Sequence, residues 1–123
     1  MKQIKIMCGD IELKAELNDK PTAKKIYGIL PVNSRAMRWG AEVYFTIPMD
    51  AELEADARDI LEPGELGFWP VGNAFCIFWG PTPASNADEP RAASHVNVFG
   101  HIIGDASILE KAVSGTKIRV EAL

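Results

Sequence analysis

Gly64-Glu65-Leu66-Gly67-Phe68-Trp69-Pro70-Val71-Gly72-Asn73-Ala74-Phe75-Cys76-Ile77-Phe78-Trp79-Gly80-Pro81-Thr82-Pro83 concentrates the aromatic residues of the chain. It holds two of the three tryptophans and three of the five phenylalanines in the chain. Burying an aromatic side chain is worth roughly 2–3 kcal/mol, so the Phe68-Trp69 and Phe75-to-Trp79 runs belong in or against the core. Between them, Pro70-Val71-Gly72-Asn73 has turn chemistry, because proline presets φ while glycine and asparagine accept positive φ. The stretch reads as two strands joined by a short connection, with Phe78 and Trp79 on opposite faces of the second. Those of its aromatics that face away from the core would line an apolar groove.

Outward from this centre the same period-two signal returns. Ile4, Ile6 and Cys8 share one parity and Ile11, Leu13, Ala15 and Leu17 another, with Gly9-Asp10 between them as a hairpin turn. Asn18-Asp19-Lys20-Pro21 supplies a local capping side chain and a first-turn proline, so a helix is expected over about residues 20–30 with Ala23, Ile26, Tyr27 and Leu30 on its apolar face. Strand patterns follow at Ala36–Trp39 and Glu42–Ile47, with Gly40 as the bulge or turn. Ala84–Ala93 reads as a surface loop, and a strand is expected from Val96 to Ile103. Asp105 caps a second expected helix with Ile108, Leu109, Ala112 and Val113 as its stripe and Gly115 as its stop. Thr116–Leu123 alternates again.

The 123 residues, 47% of them apolar, fit one domain spanning 1–123. The net charge of −4 is unevenly placed: Asp50 to Glu62 carries six carboxylates against Arg58 alone, which leaves the remainder at +1. No clustered basic face points to nucleic acid. The acidic segment is expected to be extended, solvated and at a sheet margin, where it would discourage edge pairing. It lacks the glycine-turned oxygen-ligand loop of a calcium site. No apolar run is long enough for a membrane span, and Met1-Lys2-Gln3-Ile4-Lys5-Ile6 alternates where a signal peptide would be continuously apolar, so a cytoplasmic protein is expected. Cys8 and Cys76 read as small buried hydrophobes, unpaired; with only two histidines no metal site or cofactor is expected.

The whole pattern implies a mostly β protein: a closed antiparallel β-barrel of about eight strands with two capping helices. The order of elements resembles the cyclophilin fold. The opening hairpin, the helix around Pro21-Thr22-Ala23-Lys24, the Gly64-Glu65-Leu66-Gly67-Phe68 strand and the His95-Val96-Asn97-Val98-Phe99-Gly100-His101 segment all fall where cyclophilins have counterparts. Glu65-Leu66-Gly67-Phe68-Trp69-Pro70, Gly72-Asn73-Ala74 and Ile77-Phe78-Trp79-Gly80-Pro81-Thr82-Pro83 are similar to a family of short prokaryotic cyclophilin-like proteins of unassigned function.

Cyclophilins isomerise X-Pro bonds using an arginine in a Phe-His-Arg triplet, and their resemblance implies a groove here. The corresponding strand reads Glu42-Val43-Tyr44-Phe45-Thr46-Ile47-Pro48, without the arginine, and the glutamine and paired phenylalanines of the next cyclophilin strand are replaced by roughly Asn73–Phe78. His95 matches a groove position, with one extra residue between it and Phe99. The expected ligand-binding set is therefore Tyr44, Trp69, Phe75, Phe78 and His95. These would bind a peptide segment or small apolar ligand, with weak or no prolyl isomerase activity. The alternatives are a prolyl isomerase or other enzyme in the same cavity, and a subunit whose groove a partner fills. Arg35 and Arg38 could clamp an anion or remain surface cations. Cys76 has no base beside it in sequence, and Ser85 and Ser94 lack a nucleophile-elbow context.

Overall fold

Gly9 takes φ +58°, the left-handed conformation that a two-residue turn with Asp10 requires. Strand β1 (Gln3–Cys8) therefore folds back antiparallel on β2 (Ile11–Leu17), closing at the Cys8/Ile11 pair. Alternation buries Ile4, Ile6, Cys8, Leu13, Ala15 and Leu17 on one face. The computed structural model describes all 123 residues.

Helix α1 (Pro21–Ile29) follows and buries Thr22, Ala23 and Ile26. Its N-terminus is not capped locally as expected. Lys20 occupies the capping position without a side-chain bond, and the first-turn donors are met from the acidic segment: Glu54 Oε2 accepts from the Thr22 amide at 3.0 Å and from Thr22 Oγ1 at 2.7 Å. Orphan amides at a helix start favour a carboxylate, which also suits the positive end of the helix dipole. Asn97, fully buried, completes the junction. Its Nδ2 donates to Thr22 Oγ1 (3.0 Å) and to the Glu52 carbonyl (2.8 Å), and its Oδ1 accepts from the Glu54 amide (2.8 Å).

The acidic segment keeps the expected solvated carboxylates at Asp50, Glu52, Asp56 and Glu62, all exposed, and departs from expectation at Glu54. Only Arg58–Ile60 forms a strand, β6; Glu54 is drawn inward, and Asp50, Asp56 and Asp59 each pair with a cation, Lys25, Lys20 and Arg91 respectively. Asn97→Ala would strand the Glu54 amide and the Glu52 carbonyl, and it is expected to cost about 2 kcal/mol in urea unfolding, with faster hydrogen exchange at the Glu54 amide. Unchanged exchange there would show that the segment is held by its ion pairs instead.

The remaining strands are β3 (Val32–Arg35), β4 (Met37–Arg38), β5 (Glu42–Thr46), β7 (Glu65–Trp69), β8 (Ala74–Phe78), β9 (Arg91–Ile103) and β10 (Lys117–Ala122). They form one antiparallel ladder, ordered β3-β10-β1-β2-β9-β7-β8-β5-β4, with β6 attached to β9. There are ten strands where about eight were expected, and the sheet is not closed by hydrogen bonds, because β3 and β4 lie at opposite ends of the ladder. Those two ends are consecutive in the chain, with only Ala36 between them.

The second expected helix is a 3₁₀ helix, Ala106–Lys111. Asp105 caps it by accepting from the Ser107 amide at 2.9 Å. With three residues per turn, its buried stripe is Ala106, Leu109 and Ala112, and Ile108 and Val113 are exposed.

The interior is filled by Phe45, Phe75 and Phe99, with Phe45 and Phe75 stacked at 4.7 Å and Phe99 edge-on to Phe75 at 4.9 Å. β9 begins at Arg91 rather than Val96 and serves three neighbours, β2, β7 and β6. Its register slips against β7, since Leu66 faces Gly100 while Gly67 faces Val98, which leaves Phe99 as the extra residue. Strand β8 is buried along its whole length. Phe78, pointing away from the interior, is as buried as Phe75, because a second apolar cluster of Leu61, Ala74, Cys76, Ala92 and Val96 covers the outer face.

Candidate functional site

The outer face of β5, β8 and β7 presents Glu42 and Tyr44, Cys76, and Trp69, the residues of opposite parity to the buried Val43, Phe45, Phe75 and Phe68. On that face the second cluster leaves a cavity of about 250 Å³. It runs across the ladder from Trp39 and β5 through Cys76 and Trp69 to Ala92, Ala93 and Val96 of β9.

Local chemistry fixes each wall. Trp39 sits in the β4–β5 connection, held by the Trp39 amide on the Glu42 carbonyl (3.0 Å) and the Ala41 amide on the Pro81 carbonyl (2.9 Å). Gly40 must be glycine there: its φ is +62°, and a Cβ would lie 2.8 Å from Thr82 Cα. Trp69 Nε1 donates to Ser94 Oγ at 2.7 Å, and the bare Gly72 leaves room for the ring, since a Cβ there would lie 2.9 Å from Trp69 Cζ3. Gly67 lets β9 approach, as a Cβ would meet Val96 Cγ2 at 2.6 Å.

The one charged residue on the wall is Glu42, 4% exposed. No lysine, arginine or histidine pairs with it. Burial raises its carboxyl from 4.5 to about 7, against a smaller opposite pull from the Cys76 thiol. A carboxyl in an apolar setting resists ionisation because its charge loses hydration. The same burial, with Glu42 beside it, pushes the Cys76 thiol well up, so Cys76 stays protonated and is no nucleophile. The site can therefore donate or accept a proton, or hold a cation, at one atom pair near neutrality.

Of the five residues expected to bind ligand, the structure brings Tyr44 and Trp69 together on this cavity. Phe75 lies in the interior, Phe78 in the second cluster, and His95 is exposed outside the cavity lining. His95 is carried there by the β6–β9 pairing, in which Ala92–His95 stand opposite Asp59 alone, between the Arg58/Val96 and Ile60/Arg91 pairs. Glu42 and Trp39 carried no motif in the sequence; the parity shared by Glu42 and Tyr44 was the only signal for the former.

The arginines are committed elsewhere. Arg35 donates to the Gly115 carbonyl, while Arg38 donates to the Gly40, Glu110 and Ala112 carbonyls, pairs with Glu110 at 3.2 Å and lies over Trp79. Arg91 pairs with Asp59 and Glu89. Ser94 is the acceptor for Trp69, and Ser85 Oγ donates to the Glu89 carbonyl. No three His, Cys, Asp or Glu side chains gather as metal ligands would, and no helix is long and apolar enough to cross a membrane.

The chain belongs to the Cyclophilin-like family, whose pattern it matches over residues 2–121. Among solved structures it is similar to that of a hypothetical protein from Archaeoglobus fulgidus determined in solution, 34% identical, with a TM-score of 0.84 over 99% of this chain and 95% of that one. No curated protein matches the chain.

Proposed function

We propose that the chain is a single cyclophilin-like binding domain that takes a peptide segment or small, largely apolar ligand in the outer-face cavity, with weak or no prolyl isomerase activity. The observation that carries this is the cavity itself, in which seven of the eight lining residues are hydrophobic and one polar group is buried. Concave, apolar sites with few convergent polar groups are where ligands bind. Support for one domain comes from the ladder, in which the last strand, β10, lies between β1 and β3. The barrel reading draws on the continuity of β3 with β4 and on Ser34 Oγ, which reaches the Thr46 carbonyl of β5 at 2.9 Å.

The strand that carries the catalytic arginine in cyclophilins here offers Glu42 and Tyr44 to the cavity. An uncatalysed peptide-bond rotation faces a barrier of roughly 18–20 kcal/mol, and no cation on this wall is aimed at an amide. A protease-coupled assay on a proline-containing peptide is expected to run at or close to the uncatalysed rate, and a clear acceleration would replace this reading with the enzymatic one. Ligand binding itself is tested by NMR titration of the protein with an apolar fragment and peptide library, in which hits shift the Trp39 and Trp69 indole signals together. Hits confined to Arg35 and Lys117, or to the Asp50–Glu62 segment, would move the site elsewhere.

A further inference from the structure

We propose that the cavity selects an organic monocation, an alkylammonium group whose apolar substituents lie among Trp39, Tyr44 and Trp69 and whose charge is received by Glu42. This rests on the cavity being the binding site, as proposed above.

Glu42 is nine-tenths buried, opens onto the cavity and has no cationic partner anywhere in the fold. A covered carboxyl without a partner is costly, so a wholly apolar occupant would seal it in at a penalty. An anion would meet a like charge. A cation reverses both effects, and Trp39, Tyr44 and Trp69 on the same wall offer it cation–π contact besides. A metal dication is ill served, since hard cations want several oxygen ligands and one carboxylate stands alone here. The cavity is small: 250 Å³ is the share of about eight waters at ~30 Å³ each, enough for a small branched ammonium group.

No cation on the wall competes for the charge, and the Cys76 thiol beside it is only a weak donor. The titratable neighbours are Tyr44 on the same strand and Cys76 on β8, and β7 contributes only Trp69. From β4, Arg38 is turned to Glu110, and from β9, Arg91 is turned to Asp59 and Glu89. The proton that Glu42 holds near neutrality leaves when the ammonium arrives, so affinity should rise with pH through that range.

The test is NMR titration of the full chain and of Glu42→Gln with three shape-matched probes: tert-butylammonium, tert-butanol and pivalate. The expected result at about pH 8 is ammonium binding at least tenfold tighter than tert-butanol, with pivalate weakest, an advantage that shrinks at about pH 5 and falls to the smaller contribution of the aromatic rings in Glu42→Gln. Equal binding of ammonium and tert-butanol, or an ammonium affinity unaffected by Glu42→Gln, would overturn the cation inference while leaving the cavity as the binding site. No shift at Trp39 or Trp69 with any probe would overturn both. A peptide bearing dimethyl-lysine separates the sources: tighter binding than free N,N-dimethylbutylamine supports the cation as part of a protein chain, and parity supports a free amine.

Discussion

Glu42→Gln is expected to stabilise the protein by about 3 kcal/mol at about pH 8 and to leave it unchanged at about pH 4. The carboxyl has its ordinary 4.5 in the unfolded chain and about 7 in the folded one. Below the unfolded value both states hold the proton, so the buried acid is neutral and glutamine is nearly its isostere. Between the two values the unfolded chain binds fewer protons than the folded one, so wild-type stability falls as pH rises, and it levels off once the folded group has ionised. Each unit of separation corresponds to about 1.4 kcal/mol, which sets the size of the gain. Glutamine does not titrate, so its curve lacks that descent. Urea unfolding of both proteins across this range measures the difference. A gain equal at both ends would assign it to packing, and no gain at the alkaline end would mean that Glu42 keeps its charge hydrated in the fold.

Phe75→Ala is expected to cost roughly 3–5 kcal/mol, a large share of the 5–15 kcal/mol typical of a domain. Phe75 is 1% exposed and is the middle ring of three, between Phe45 at 4.7 Å and Phe99 at 4.9 Å. Truncation removes its transfer energy and both ring contacts, and the strands on either side, β5 and β7, are pinned by their own ladders and cannot collapse inward. Phe75→Leu keeps most of the volume and should cost about 1–2 kcal/mol. Denaturation midpoints report both; similar losses for the two substitutions would place the value of Phe75 in ring geometry rather than in the space it fills.

Much of the fold was legible because it is written in short-range signals. The Gly9-Asp10 turn, the alternation of Ile4, Ile6 and Cys8, the Pro21 helix start and the turn after Trp69 each need only neighbours a few residues away. They give the element order, and the wording of the Gly64–Pro83 stretch leads from there to the cyclophilin-like family. The same signals misjudge wherever a distant partner intervenes. The α1 cap was sought at Asn18 and Asp19 and is supplied by Glu54, because Asn97 of β9 draws that segment inward. The stripe after Asp105 was read at the α-helical period, but the chain there winds with three residues per turn.

The candidate site divides in the same way. Alternation alone put Tyr44 and Trp69 on an outer face, and it is a local property of a strand. Whether an outward residue meets solvent, a cavity or a second core depends on what the chain lays over it. Leu61, Ala92 and Val96, remote in sequence, seal Phe78 completely and leave Tyr44 and Trp69 open to a pocket, while a slip of four residues against one between β9 and β6 carries His95 to the surface. Glu42 shows the division most sharply. In the sequence it is one more acid at the edge of a strand; desolvation by walls drawn from the β4–β5 connection, β5, β7, β8 and β9 makes it the polar group of the site, and burial by segments so far apart is a property only the tertiary structure can confer.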